Sequence, residues 1–366
     1  MKKIISVVGA RPNFIKIAPI HRSFQTYKSD INHLICHTGQ HFDEKMSKIF
    51  FDELQMPKPD FYLGLGGGSH ALQTSRIMVE FEKILLDEKP DLVIVPGDVN
   101  STIAASLVSS KLHIPVAHVE AGLRSFDKKM PEEVNRVLTD HISDYLFVTE
   151  KSGITNLKKE GVSDAKVYFT GNVMIDSLVN FMPFIDKSMF IEKIGVRKKN
   201  YVLATFHRPS NVDEEKNLTQ LIHALNKISK VREVVFPIHP RTMNNLKKYG
   251  LFDKLNDNII ILEPIGYIDF LSLSKNAELV VTDSGGIQEE TTYLGVQCIT
   301  VRDNTERPIT SEIGTNHMIG TDFNKVVDAS MSILSGEVKL GSIPDLWDGN
   351  ASVRITKIIH DKLFSQ

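Results

Sequence analysis

Residues 279–290 read LVVTDSGGIQEE, and this stretch decides the architecture. An apolar, β-branched run gives way to a turn through Asp283-Ser284-Gly285-Gly286, and a helical pattern begins near Ile287. That is strand, turn, helix. Backbone N–H groups at a helix start, with glycines permitting close approach, make a ready site for a phosphate, and Ser284 adds a hydroxyl donor. Glu289 and Glu290 fall in the first two turns, where a carboxylate can accept from sugar hydroxyls or simply complement the helix dipole.

The same unit recurs in both directions. Short apolar runs occur at residues 4–8, 33–37, 91–95, 116–119 and 145–148. A second set lies at 202–206, 233–238, 259–262, 278–281 and 298–301. Helical spacing fills the gaps, as at Ile77, Phe81, Ile84 and Leu85, or Leu221, Ile222 and Leu225. Strands alternating with helices are the pattern of parallel sheets buried on both faces. The expected fold is α/β, with two doubly wound domains and ligands bound at the carboxyl ends of their strands. The domain boundary is placed near residues 168–172, and residues 183–200 read as a Lys-rich connection.

Composition narrows the function classes. The 366 residues suit two domains at roughly 100–200 residues each. With 43 Lys+Arg against 45 Asp+Glu, the net charge of −2 gives no electrostatic case for nucleic acid or an anionic membrane. No segment approaches the ~18–20 continuous apolar residues of a membrane span. The opening MKKIISVVGARP is broken by Gly9, Arg11 and Pro12, so it reads as a first strand rather than a leader. Cys36 and Cys298 stand far apart and in no CxxC pair, which fits a reducing cytoplasm.

Candidate chemistry gathers just past the strands. Arg11 follows the first strand, beside the positive end of a helix that Pro12 helps to start, a place suited to an arginine holding an anion. Lys16 lies just over one turn further on. Asp98 ends VPGD, as a helix cap or as part of a site. His118, Glu120 and Arg124 lie in HVEAGLRS. Glu132, Glu133 and Arg136 follow in MPEEVNR. In the second half, His207 (FHRPSN) and His239 (HPR) each come directly after a strand. Several motifs are missing. GLGGGSH at 64–70 fails the GxGxxG spacing, and neither GxxxxGK[ST], HExxH, GxSxG nor an acidic DxD-type pair occurs. No metal and no cofactor are expected, so arginine and histidine must neutralise any diphosphate.

The motifs GARPNFIK, TGQHFD, PGDVNST, HVEAGLRS, MPEEVNR, FHRPSNV, HPR, TDSGGIQEE and RDNTERP together resemble the non-hydrolysing UDP-N-acetylglucosamine 2-epimerases. The resemblance implies two Rossmann-like domains of the glycosyltransferase-B type, with the active site in the interdomain cleft. It implies residues 1–169 plus a returning helix, 350–366, as the first domain and 170–349 as the UDP-binding second. It further implies a cytoplasmic homodimer acting on a UDP-sugar for surface polysaccharide. By motif, Asp98, Glu120 and Glu132 correspond to the acid–base carboxylates and His207 to the catalytic histidine. Arg11, His239, Ser284, Gly285, Gly286 and Glu290 correspond to UDP contacts, with Arg302 and Arg307 in a nearby basic motif; Lys16, from its place in the first helix, reads as a further substrate-binding residue or as a solvated lysine. One departure bears on regulation by a second UDP-GlcNAc: Gln40 and His41 are present, but the Arg-Gln pair expected before the helix at His70-Ala71 is not. Action on a related UDP-diacetamido sugar, a hydrolysing epimerase and a UDP-sugar glycosyltransferase remain alternatives.

Overall fold

The structure, a computed structural model, describes residues 1–39 and 56–365; residues 40–43 of the TGQHFD motif lie outside them. The chain forms two compact units. One comprises residues 1–180 with 345–366, the other 181–344.

Among the described residues the first unit holds a seven-stranded sheet. Its strands are β1 (Lys2–Val8), β2 (Ile31–His37), β3 (Phe61–Tyr62), β4 (Leu92–Pro96), β5 (Val116–Ala121), β6 (Tyr145–Val148) and β7 (Val167–Phe169). They run parallel in the order β3-β2-β1-β4-β5-β6-β7. The second unit repeats the pattern with β8 (Tyr201–Thr205), β9 (Glu233–Pro237), β10 (Ile259–Leu262), β11 (Leu279–Thr282), β12 (Gln297–Thr300) and β13 (Asn316–Met318), ordered β10-β9-β8-β11-β12-β13. In each unit the strand order reverses beside the first strand, between β1 and β4 and between β8 and β11. A doubly wound sheet opens its ligand crevice at that reversal.

Period-two alternation explains why these strands are apolar throughout. Val202 and Ala204 pack into one layer with Leu221, Leu225 and Val326. Tyr201 and Leu203, pointing the opposite way, pack with Ile191, Val280 and Cys298. Both faces are therefore covered by helices, and every β8 residue from Tyr201 to Ala204 is buried. The helix His70–Glu88 buries Gln73, Ile77, Phe81 and Leu85, one residue per turn along a single face.

All ten expected strands form. The three additional strands, β3, β7 and β13, are edge strands of two or three residues, too short to carry an apolar run, as edges commonly are. The region read as a connection, 183–200, is instead mostly helical. Pro183 lies within the helix Val173–Lys187, and a further helix, Phe190–Ile194, ends at Gly195 with φ +78°. Burial of Phe181, Ile185 and Ile191 holds these turns against their polar composition.

The final helix, Ala351–Phe364, belongs to the first unit. It packs on the helix Arg11–Phe24, with Ser23 and Thr356 hydroxyls 2.7 Å apart. Asp176 accepts from the Ala351 and Ser352 N–H groups at 3.0 and 2.6 Å, capping the helix start. The Trp347 indole donates to the Thr149 carbonyl at 3.0 Å. Among the described residues no helix is long and apolar enough to cross a membrane.

Candidate active site

In the first unit, chemistry-bearing side chains converge where β1, β4 and β5 end. Gly9 is required there, since a Cβ would lie 2.1 Å from the Ser101 hydroxyl. The Asn13 side chain accepts from the Gly9 and Ala10 N–H groups at 3.1 and 3.0 Å and donates to the Pro96 carbonyl at 3.1 Å. It thereby ties the β1 turn, which carries Arg11 as the first residue of its helix, to the end of β4.

Lys16, from the same helix, is turned into the unit. Its Nζ lies 2.7 Å from Glu120 Oε2, and both side chains are more than nine-tenths buried. Glu120 itself is irregular. Its φ is +77°, and the β5–β6 register slips between Val119 and Ala121. A residue other than glycine in that conformation is uncommon, and a bulge re-aims the side chain it carries.

Asp98 does not cap the next helix, whose N-cap is Val99. Its carboxylate instead accepts from Arg136, and its carbonyl accepts from the Asn135 amide at 2.9 Å. Arg136 also donates to Glu133 at 2.5 Å, and Glu133 accepts from the N–H groups of Ser125 and Phe126. Glu133 is thus buried structural support for the loop after β5. Its neighbour Glu132, in the first turn of the helix Pro131–Ile142, is half-buried and makes no ion pair among the described residues.

In the second unit, the ends of β8 and β11 bring His207 and Asp283 together, with Nδ1 2.9 Å from Oδ1. Asp283 also accepts from the His207 and Arg208 N–H groups at 3.1 and 2.9 Å and from the Asn211 amide at 3.1 Å. Burial alone would raise this carboxyl. The His207 contact, the Arg208 N–H and the Asn211 amide outweigh it and hold the group below its ordinary value. His239 caps the helix Pro240–Lys248, its Nδ1 accepting from the Arg241 N–H, and its ring centroid lies 5.7 Å from that of His207.

Ser284 is the N-cap of the helix Gly285–Leu294, two residues earlier than the sequence suggested. Its hydroxyl makes no capping bond. Two arginines stand over this helix start. A Cβ on Gly285 would lie 2.8 Å from Arg307 Nη1 and 3.7 Å from Arg302 Nη1. Cations oppose the dipole at that end, and buried carboxylates offset them: Arg302 pairs with Glu306 at 3.0 Å and Arg307 with Glu289 at 2.9 Å. Gly286 occupies the helix's first turn, while Glu290 is buried and accepts from the Tyr267 hydroxyl at 3.0 Å. The first unit's cluster can move protons, and the second unit's helix start can hold an anion.

Asp283 and Glu306 are functional-site residues that the sequence alone does not distinguish. Asp283 had a legible signal, a carboxylate immediately after a buried strand, but its partner could be named only once β8 and β11 were known to be adjacent. Among the described residues no group of three or more His, Cys, Asp or Glu side chains is disposed to hold a metal ion.

Comparison with known proteins gives concordant matches. The family described as UDP-N-acetylglucosamine 2-epimerase matches residues 25–360. The UDP-N-acetylglucosamine 2-epimerase of Methanococcus maripaludis is 45% identical, covering 98% of both chains. The UDP-2,3-diacetamido-2,3-dideoxy-D-glucuronate 2-epimerase of Pseudomonas aeruginosa is 41% identical, over 92% of this chain and 94% of that protein. A crystal structure of the Methanocaldococcus jannaschii UDP-GlcNAc 2-epimerase, in complex with UDP-GlcNAc and UDP, superposes with a TM-score of 0.90. That protein is 44% identical, and the match covers 98% of this chain and 99% of that one.

Proposed function

The chain belongs to the UDP-N-acetylglucosamine 2-epimerase family and is an isomerase, and from that premise we propose that it interconverts UDP-GlcNAc and UDP-ManNAc without net hydrolysis. The C2 hydrogen of the sugar is not adjacent to a carbonyl, so direct deprotonation is too costly. In the proposed route a carboxylate removes that proton as the C1–oxygen bond breaks. The C2–H electron pair forms the C1=C2 bond of a 2-acetamidoglucal, and the C1–O pair leaves with UDP. A second group then protonates C2 on the opposite face and UDP re-adds at C1.

The observation that carries this reading is Glu120, re-aimed by its bulge toward Lys16 at the strand ends where Asp98 also emerges. Separate carboxylates suit a reaction that takes a proton from one face and returns it to the other. In this reading Asp98, Glu120 and Glu132 are the acid–base groups, with His207 oriented by Asp283. Lys16 acts through Glu120. Arg11, His239, the Ser284–Gly286 turn, Glu290, Arg302 and Arg307 hold UDP, whose departing charge is stabilised by N–H groups and guanidinium cations.

A cytoplasmic homodimer supplying surface-polysaccharide precursors is part of the same proposal. Exposed Leu72, Val79 and Leu86, spaced by seven along one helix, support self-association. The Pseudomonas relative favours one alternative substrate, a UDP-diacetamido uronic acid. Incubation with UDP-GlcNAc in D₂O, followed by NMR, tests the reading. UDP-ManNAc carrying deuterium at C2 is the expected product. Free sugar would indicate hydrolysis, and epimerised product retaining its C2 hydrogen would remove the elimination route. No reaction, with turnover of the diacetamido uronate instead, would move the assignment to that substrate.

A further inference from the structure

Two fully buried side chains in the first unit, His118 and Asp140, take no part in the chemistry above. Burying polar side chains is costly unless every polar atom finds a partner, and here the partners form one connected set. His118 Nδ1 lies 2.6 Å from Asp140 Oδ1, and His118 Nε2 lies 2.7 Å from the Gly97 carbonyl. The Gly97 carbonyl can only accept, so Nε2 donates to it, while Nδ1 faces the Asp140 carboxylate. Asp140 Oδ2 accepts from the Gly122 N–H at 3.0 Å and from Arg124 Nη1 at 2.7 Å. Arg124 in turn reaches Glu160 with two bonds, at 2.8 and 2.6 Å.

The attachment points give this set a purpose. Gly97, with φ +67°, is the residue before Asp98, and its N–H donates to the Val119 carbonyl at 3.0 Å. Gly122, with φ +80°, follows Glu120 by two residues, and a Cβ there would lie 2.5 Å from the Gly153 carbonyl oxygen. Asp140 therefore grips β5 on both sides of its bulge, through His118 before Glu120 and through Gly122 after it. His118 simultaneously anchors the turn that presents Asp98. A left-handed residue other than glycine is strained and persists only where its surroundings over-determine it. At Glu120 these bonds supply that constraint.

We propose that His118 and Asp140 are positioning residues: a buried brace that holds the strained Glu120 bulge and the Asp98 turn in one fixed arrangement. The brace touches no substrate. The proposal rests on the epimerase reading, because it assigns the brace a role only through Glu120 and Asp98. In the framework alone, these residues would affect stability and nothing else. As a brace they affect turnover more than binding, because the acid–base groups shift while the UDP-holding residues of the other unit keep their places.

The experiment compares kcat, KM and UDP affinity of the full chain with those of His118→Phe and Asp140→Asn, using UDP-GlcNAc as substrate and thermal melts to establish folding. Phenylalanine removes both of the His118 bonds. Asparagine preserves shape but leaves one acceptor oxygen where the carboxylate offered two. The expected result is a kcat loss of about 10–100-fold for His118→Phe and a smaller loss, about 3–10-fold, for Asp140→Asn. KM and the UDP dissociation constant should stay within about twofold. If His118→Phe does not fold, Asp140→Asn carries the test alone. Folded variants with wild-type kcat, or with kcat and UDP affinity falling together, overturn the brace. A wild-type protein inactive on UDP-GlcNAc would fail the parent reading instead, and that result is seen before any variant is assayed.

Discussion

Lys16 Nζ and Glu120 Oε2 lie 2.7 Å apart, with both side chains more than nine-tenths buried. This ion pair joins the first helix of the chain to the bulge in β5, and its desolvation makes the two residues interdependent. Removing one member of a buried pair leaves an uncompensated charge, at a cost of about 3–5 kcal/mol. Lys16→Met should therefore destabilise the first unit by about that amount. The Lys16→Met/Glu120→Gln double variant should recover much of the loss in urea unfolding. Activity should not recover with it: Glu120→Gln, alone or in the double variant, should lose ~10²–10⁴-fold in turnover while UDP still binds. A double variant as unstable as Lys16→Met alone would show that the pair is not coupled.

Asp283 should matter to turnover through His207. Replacing it by asparagine removes the carboxylate that faces His207 Nδ1 while keeping an oxygen for the backbone donors. The expected loss is ~10²-fold or more, the scale of a misoriented acid–base group, with UDP affinity changed little. Turnover equal to wild type would return the His207–Asp283 contact to a purely structural role.

The helix start at Gly285 should be sensitive to a single methyl group. A Cβ would come within 2.8 Å of Arg307 Nη1, the movable end of a long side chain, so Gly285→Ala should fold. The displaced guanidinium should weaken UDP binding by ~10–100-fold, as expected for loss of a charge-assisted contact worth about 1.5–3 kcal/mol. Arg11→Ala should likewise weaken UDP binding more than Ser284→Ala, whose hydroxyl is a neutral donor. Calorimetry on the three variants checks the order.

Stability should fall as the pH drops below 6.5. Burial pushes the His37 imidazole down to about 4, and burial with His21 nearby lowers His33 well below its ordinary value. In the unfolded chain both titrate near 6.5. Between these values the unfolded chain binds more protons than the folded one, so acidification favours unfolding. For His37 the full effect is about 3 kcal/mol, none of it present above pH 6.5. Asp140 and Asp283 act in a different window. Their carboxyls are held below the ordinary carboxylate value against the opposing effect of burial, so their contribution is present above that ordinary value and is lost as pH falls through the lower folded values. Urea unfolding between about pH 7.5 and 5 should show the decline, and His37→Phe should flatten it. A flat wild-type profile would contradict the buried, neutral imidazoles.

The parts of this molecule legible in the sequence are those governed by local pattern. Central strands such as β1 and β11 are apolar on both faces, and Pro12, Pro131 and the Ser284-Gly285-Gly286 turn mark helix starts. These features place Arg11, Asp98, Glu120 and His207 at or just past strand ends before any coordinates are known. The rest depends on neighbours. The β8–β11 register, Thr205 beside Thr282, is what brings Asp283 to His207. Nothing local distinguishes Glu133, which braces a loop, from Glu132, which stands one residue away. The left-handed Glu120 leaves no trace either, because the usual sign of such a conformation is glycine. His118 and Arg124 were expected at the ligand edge with Glu120. Both are buried instead, bound to Asp140.

The cap that Asp176 places on the helix Ala351–Phe364 has a consequence for biosynthesis. The first unit is assembled from two separated stretches, 1–180 and 345–366, whereas the second, 181–344, is uninterrupted. During translation, residues 181–344 can emerge and fold while the earlier-made segment still lacks its closing helix. That helix emerges after both of these stretches, so the unit begun first is completed after the second. Until that helix emerges, the Asp176 carboxylate and the apolar side of the helix Arg11–Phe24 await their partners. A premature stop just before Ala351 would thus strike the unit that the earliest-made residues build.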